Sequence, residues 1–429
     1  MQTNGTLGLI ATNTVAQGDT REVGLDAMVT AGFTITRAIQ SRSWPASTAN
    51  LEYAAVWGTL DAVADGVQRV CDETKVRRVS TLLEPAGRIE GNPVRLAENG
   101  GVAFQGCIVL GMGFVLDVAE AQEWIAADPR NAEVLFPYLN GEDLNSRPDA
   151  SASRWVIDFN DRSEKEASTY ALPYHRLIEA VKPERQRLKP DGSFVLRRPL
   201  PERWWQYGEK RPAMRKAIAL LPEVLVIARV SKTVMPIRVP TGQIMSEMCV
   251  VFATDDYGIQ AVLSSSLHQL WAITYGSGMR NDPRYAPSDV FETFPRPELN
   301  EQLERTGRIL DKERREIMLR RGLGLTKLYN LVNDPTHTDS IDSDVSRIRA
   351  IHIELDQCVL DAYGWADVVP SHGFYSFRRM KRWTVSPVAR VEILDRLLEE
   401  NHRRAANLPQ TERSPRHLEV PSEHATLFD

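Results

Sequence analysis

The sequence predicts three successive regions: an α/β segment over residues 1–80, a mixed α+β region over 101–297, and a helical region over 298–408. Three observations carry this division. An apolar run at Leu7–Thr12 gives way to helical spacing and then to two more β-like runs, the order of an α/β sheet. Short β-like runs next alternate with helical pieces between Pro-rich turns. After Pro297 the apolar residues recur at steps of three and four.

The first strand reads as a buried parallel strand that empties into Thr12-Asn13-Thr14 and then Gln17-Gly18-Asp19. Open α/β sheets keep their ligands at such strand ends. A helix follows over Thr20–Ala31 with Val23, Ala27 and Met28 on its apolar face, and Gly32 occupies the position of a C′ glycine. Thr34–Ile39 and Asn50–Gly58 are two further strands, separated by Trp44-Pro45. No strand, Gly-rich turn and helix precede Gly8, so residues 1–80 are expected to be the tail of a sheet. Its edge near Leu7–Thr12 would be a template for unwanted pairing.

Residues 81–100 concentrate Pro and Gly and are expected to form a linker. In the mixed region the β-like runs are Cys107–Leu110, Arg154–Phe159, Val224–Val230 and Met248–Phe252, with helices at Val118–Ala127 and Ala213–Leu221. The helical region opens with amphipathic Leu299–Leu319. Val345, Ile348, His352, Leu355, Val359 and Ala362 share the face of a helix that stops at Gly364. A last helix has Ser386 as N-cap and Pro387 at N1, and runs to about Arg404. Residues 409–429 lack apolar periodicity and are expected to form a loose tail.

Composition excludes several classes. Apolar residues make up 42% and charged residues 25% of 429, which is ordinary for a soluble domain protein. No window has the roughly 18 uninterrupted apolar residues of a membrane span, and no basic segment leads into an apolar core as a secretory signal would. Cys71, Cys107, Cys249 and Cys358 are far apart and form no C-x-x-C pair, so the cytoplasm is the expected location. His352-Ile353-Glu354 resembles the H-x-E of zinc deaminases, but no P-C-x-x-C follows, and no metal is expected. Gly111-Met112-Gly113 lacks the third glycine of a dinucleotide fingerprint, and there is neither a Walker lysine motif nor a G-x-S-x-G elbow.

Net charge is −5, yet between Arg176 and Arg238 there are 15 Lys/Arg against 6 Asp/Glu. Such asymmetry points to a local basic face. Within it Phe194, Trp204, Trp205 and Tyr207 interleave with Arg197, Arg198, Arg203, Lys210 and Arg211. Cations neutralise phosphates, and aromatic rings either stack on bases or belong to the core. The apolar run Val224–Lys232 ends in Arg229, Ser231 and Lys232, groups suited to phosphate or base-edge contacts and equally to a structural surface.

Nine phrases in order over residues 5–404 resemble one family: GLIATNTVAQGDTREVGL, WPASTANLEYAAVW, PYLNGEDLNSRPD, RWVIDF, SSSLHQLWA, YAPSDVFETFPRP, GLTKLYNLVNDP, LDQCVLDAYGW and ILDRLLEENHRR. The family is the N6-adenine DNA methyltransferases of bacterial type II restriction–modification systems, fused endonuclease–methyltransferases included. The resemblance implies part of a class I methyltransferase (Rossmann-like) α/β sheet, an α+β target recognition domain over 101–297, and an α-helical C-terminal region packed against that domain. Double-stranded DNA is the implied partner, Asn13 and Gln17 would line the pocket of a flipped adenine, and S-adenosylmethionine would serve the intact enzyme. The family's F-x-G-x-G-like cofactor turn and its (N/D/S)-P-P-(Y/F) adenine clamp are missing. The chain has no Pro-Pro, and Phe104-Gln105-Gly106-Cys107-Ile108 ends in the wrong residue. The expectation is therefore a C-terminal part that holds no cofactor alone, is inactive alone, and works with an N-terminal methyltransferase half or upstream gene product. The alternatives are a stand-alone DNA-binding specificity subunit recruited by separate catalytic proteins, and a decayed remnant.

Overall fold

In a computed structural model of the chain, describing residues 5–44, 52–64, 66–89, 91–279, 282–338, 340–377 and 380–407, the apolar run folds as β1 (Thr6–Thr12). β2 (Thr34–Ser43), β3 (Glu52–Thr59), β4 (Arg69–Cys71) and β5 (Thr74–Val76) complete a five-stranded sheet of order β1-β3-β2-β4-β5. The expected buried parallel strand is thus an edge strand with an antiparallel neighbour. The reason is topological: β3 returns from β2 and inserts between β2 and β1, antiparallel to both. β1 and β2 therefore run parallel to each other without touching. Residues 50 and 51, expected to begin the third strand, lie outside the described residues, as does the expected tail from residue 409.

Four helical pieces join β1 to β2: a 3-10 turn Asn13–Ala16, then Gly18–Arg21, a π turn Glu22–Asp26, and Ala27–Thr30. The π turn changes the phase of the helix. Leu25 is buried, whereas Val23, expected inward, is 79% exposed. Gly32 ends the helix at φ +94°, the left-handed conformation that its position asks for.

The stretch 81–100 has little regular structure, but it is a docked strap. It lies along the Pro387–Ala406 helix, where the Arg88 amide donates to Asp395 Oδ2 (2.9 Å). Asn401 brackets Val94, accepting from its amide (2.8 Å) and donating to its carbonyl (2.7 Å). Gly87 is required there, since a Cβ would sit 1.8 Å from Asp395 Oδ1.

The mixed region holds two four-stranded sheets. One has the order β11-β10-β13-β6, antiparallel throughout, from β6 (Ala103–Gln105), β10 (Glu223–Ala228), β11 (Ile237–Pro240) and β13 (Cys249–Phe252). The other has the order β12-β8-β9-β7, from β7 (Val115–Leu116), β8 (Leu135–Leu139), β9 (Arg154–Ile157) and β12 (Ile244–Met245). A two-stranded ribbon, β14 (Ser277–Met279) and β15 (Asp282–Arg284), follows. The helix Val118–Ala127 lies where its spacing puts it.

The C-terminal helices Glu301–Arg321, Ser343–Ala362 and Pro387–Ala406 also sit where the periodicity places them, with Gly364 at φ +74° and the Ser386 hydroxyl accepting from the Ala389 amide (3.2 Å). Leu325, Leu328, Val345 and Ile348 share one core with Trp204, Val226 and Val251, so the helices pack on the mixed region. The region is not wholly helical: β16 (Gly373–Phe377) and β17 (Met380–Thr384) form a hairpin. Among the described residues no helix is long and apolar enough to cross a membrane.

Candidate nucleic-acid interface

A cleft of about 1650 Å³ opens between the N-terminal sheet, the strap, the β16–β17 hairpin and the last helix. β1 ends in a single turn, Asn13–Ala16, which puts Asn13 and Gln17 on its wall, with Lys232 and Pro283 contributed by the mixed region. The Asn13 amide is engaged, donating to Glu52 Oε2 (3.0 Å) and Ser41 Oγ (3.2 Å). Five cations and five carboxylates line the cleft, among them Arg21, Arg69 and Lys232 against Asp26, Asp72 and Asp395, so its wall is balanced in charge rather than cationic.

The basic segment does not form one face. Arg185 is buried and donates to the carbonyls of Val109 (2.8 Å) and Leu110 (2.7 Å), and burial lowers its pKa to about 10. Arg215 pairs with buried Asp158 at 2.7 Å, and Arg238 lies over the Tyr257 ring at 3.9 Å. Lys210 is bound to Asp161 and to Gln206 Oε1 (3.3 Å), so its ammonium is already partnered. Trp204, expected among the DNA contacts, is 1% exposed, under Lys182 and beside Tyr174 and Trp205. No face of its ring is open to a base. Arg197, Arg198 and Arg203 do reach solvent, Arg198 pairing with Glu202 at 2.8 Å.

A tighter constellation forms where β10 ends. The Arg229 amide donates to Met248 O (2.8 Å) and its carbonyl accepts from Tyr285 N (2.7 Å), which clamps the backbone between β13 and the β14–β15 ribbon. Burial depresses the Arg229 pKa, with Arg284 and Arg211 adding repulsion and Glu247 opposing it. Glu247 Oε2 is itself buried and has no hydrogen-bond partner. Arg229 and Arg284 make no side-chain hydrogen bond or ion pair among the described residues, whereas the Arg211 guanidinium donates to Gly106 O (3.3 Å) and lies 3.9 Å from Glu209 Oε2. Ser231, expected to reach DNA, is 6% exposed; its hydroxyl donates to Asn145 Oδ1 (3.0 Å) and accepts from the Thr233 amide (3.0 Å). Lys232 is exposed, and its carbonyl takes a bond from Arg382 of the hairpin. Sequence reasoning missed Glu247 and Arg284, because the charge excess was sought only as far as Arg238.

Two glycine stretches could form nucleotide or cofactor turns, and each holds one closely packed glycine. A Cβ on Gly106 would lie 2.1 Å from Ser246 O, and one on Gly113 would lie 2.7 Å from Ala180 Cβ. Neither Gly106 nor Gly113 leaves room for a ligand against its own Cα. His352 is buried against the Tyr329 hydroxyl (2.8 Å), and burial brings its pKa down to about 4. Among the described residues no three His, Cys, Asp or Glu side chains are grouped to hold a metal.

Residues 104–298 match the family described as MmeI, target recognition domain. No curated protein matches the chain. The type IIL restriction-modification enzyme MmeI, solved in complex with DNA, superposes over 94% of this chain and 50% of its own, with a TM-score of 0.67 and 16% identity. The type IIG restriction endonuclease BpuSI covers 85% of this chain and 48% of its own at 11% identity, with a TM-score of 0.30, too low to compare architectures. The chain spans about half the length of these solved enzymes. Its mixed α/β fold is similar to that of MmeI, and its central region is similar to the MmeI target recognition domain.

Proposed function

We propose that residues 104–298 read a DNA site for a restriction–modification enzyme, and that the enzyme methylates adenine N6 with S-adenosylmethionine. The cofactor turn and adenine clamp are then supplied by a segment other than the one described. The observation that carries the reading is the half-buried Arg229 guanidinium, without a side-chain hydrogen bond among the described residues and within electrostatic reach of Arg284, Arg211 and Glu247, inside the part of the chain that matches a target recognition domain. A guanidinium fork suits O6 and N7 of guanine, and a carboxylate accepts from N4 of cytosine, so the pair can discriminate base edges in a major groove. Arg197, Arg198, Arg203 and Lys232 supply phosphate contacts, which position the duplex without reading it.

The methyltransferase part of the proposal is supported by the N-terminal sheet. β1 and β2 run parallel, a helix joins them, and Asn13 and Gln17 lie just past the C-terminal end of β1, where open sheets place ligands. With Asn13 held by Glu52 and Ser41, Gln17 is the side chain available to meet an extruded base. The balanced charge of the cleft suits a neutral base better than a phosphate chain.

The test is selection of binding sites from a random duplex library by the full chain, repeated across salt concentrations. A consensus with affinity that falls steeply with salt supports the reading. Sequence-independent retention, or none, would overturn it. Transfer of labelled methyl by this chain alone would overturn the assignment of the catalytic motifs to another segment.

A further inference from the structure

Between buried Arg185 and buried Pro201 the chain leaves the body of the mixed region as a short finger, residues 187–195. Val195 N donates to Arg187 O (2.9 Å) and Lys189 N to Ser193 O (2.7 Å), with Leu188 bridged to Phe194 between them. Its end is a tight turn that Lys189-Pro190-Asp191-Gly192-Ser193 suits: the proline presets the turn, and Gly192 takes the left-handed φ of +80° that closes it. Asp191 is spent on the turn, accepting from the Ser193 amide (2.9 Å) and hydroxyl (2.6 Å). The base is fastened as well. Arg185 holds the carbonyls of Leu110 (2.7 Å) and Gln206 (2.5 Å), and Gln186 Nε2 donates to Pro201 O (3.0 Å). Leu188 is 57% exposed, between exposed Arg187 and Lys189, and neither cation has a side-chain hydrogen bond or ion pair among the described residues. A lone exposed leucine is ordinary. Here it is held out on a locked turn between two unpaired cations, inside the part of the chain that matches a target recognition domain.

We propose that the finger is a minor-groove wedge for double-stranded DNA: Leu188 presses between base pairs beside the site being read, and Arg187 and Lys189 meet phosphates on the groove's rim. The inference rests on the DNA-site reading above and extends it to the flanking duplex. Successive residues of a strand alternate faces, so the leucine points one way and the two cations the other. With the leucine toward the groove floor, the cations lie at the level of the sugar–phosphate rim. The end of the finger keeps no polar side chain to read a base edge, because Asp191 and Ser193 bond each other. That disfavours the major groove, where only a thymine methyl would reward a leucine. Apolar wedges do enter the minor groove, unstacking a base step and kinking the duplex as they go in. Position supports the choice. Arg211, which lies in the field of Arg229, donates to Gly106 O (3.3 Å), and Arg185 at the finger's base donates to Leu110 O. The four steps from Gly106 to Leu110 span at most about 13 Å when extended. That is less than half of the roughly 34 Å turn of a duplex, so one DNA molecule can meet both elements in neighbouring grooves.

The experiment uses the full chain and the duplex selected from the random library, or the unselected duplexes if no consensus emerges. The duplex carries a fluorescent adenine analogue at successive positions outside the consensus and a donor–acceptor dye pair at its ends. Binding should raise the analogue's emission at least about twofold at one flanking step, as unstacking does, and shorten the end-to-end distance as a kink of roughly 20–90° would. Leu188→Ala should abolish both signals with the melting temperature unchanged, because the side chain lies outside the core, and Leu188→Met should keep both. Arg187→Ala combined with Lys189→Ala should lower the salt slope by about 1.8. A bound duplex that stays straight and stacked, or a kink that persists in Leu188→Ala, would overturn the proposal. So would a salt slope indifferent to the double substitution. The same samples keep the two ideas apart. A consensus bound without a kink refutes the wedge alone. Kinking of duplexes that share no consensus, lost in Leu188→Ala, refutes the site reading alone, and failure to bind any duplex refutes both.

Discussion

Truncating Arg229 to alanine removes a guanidinium that the folded chain holds at a cost. Its pKa is depressed by burial and by the nearby Arg284 and Arg211, with only Glu247 in opposition, and it makes no side-chain hydrogen bond among the described residues. The substitution should therefore leave the melting temperature unchanged or slightly raised, because what it deletes from the free protein is mainly repulsion and desolvation. Its effect belongs to the complex. A bidentate arginine–guanine contact is worth about 1–3 kcal/mol of discrimination, which is roughly 5- to 150-fold in affinity. Fluorescence anisotropy on the selected duplex and on its single-base variants would measure this. The expected result is loss on the cognate duplex, little loss on one single-base variant, and an unchanged salt slope. An equal loss on every duplex with a shallower slope would make Arg229 a phosphate ligand. No loss at all would refute the recognition site itself.

Lys232→Ala should behave in the opposite way, weakening all duplexes alike and lowering the salt slope by about 0.9, read from the same titrations. Trp204→Ala should cost about 3–5 kcal/mol in urea unfolding, as a fully buried indole would, whereas a base-stacking residue would cost affinity and not stability. Gly106→Ala should destabilise by about 1–3 kcal/mol, because its Cβ meets the Ser246 carbonyl, and circular dichroism melting checks it. Burial holds both His268 and His352 at about 4, below their unfolded value. The unfolded chain then binds more protons between about pH 6.5 and 4, so this part of the stability is complete above that window and is lost as pH falls through it. Urea midpoints at pH 7, 6 and 5 should decline in that order, and less so for His268→Gln.

What was legible in the sequence follows the range of the interactions involved. The helices Ser343–Ala362 and Pro387–Ala406 are specified by i, i+3, i+4 spacing and local caps, so their limits could be read directly. The partners of β1 could not. LGLIA is compatible with a buried parallel strand, and only the return of β3 decides that its neighbour is antiparallel. The β16–β17 hairpin was lost inside a helical region because its period-two pattern spans only a few residues, Phe374 pairing with Trp383. At the site, a count of basic residues cannot distinguish Arg185, which caps carbonyls inside the core, from Arg229, which makes no side-chain hydrogen bond among the described residues. Nor can it bring Arg284 beside Arg229, because that proximity depends on the bond from Tyr285 N to Arg229 O.

The recognition group and the Asn13–Gln17 turn can serve one reaction only if their separation is fixed, and the structure contains two ties that fix it. Asn92 of the strap accepts from Arg21 Nη2 (2.5 Å) and donates to Asp26 Oδ2 (3.2 Å), both on the helix that follows the turn. Its carbonyl meets His402 of the last helix (2.9 Å), and Asp395 and Asn401 of that helix hold the rest of the strap. The second tie is the hairpin that precedes the last helix. Arg382 grips the carbonyl of Lys232, two residues beyond the loop residue Val230, whose bridge to Arg284 joins the end of β10 to the ribbon. The C-terminal region therefore touches both walls of the cleft, at the strap and at the end of the β10 loop. On the proposed reading the helices have a role beyond stability: they set the distance between the place where a sequence would be read and the place where a base would be received.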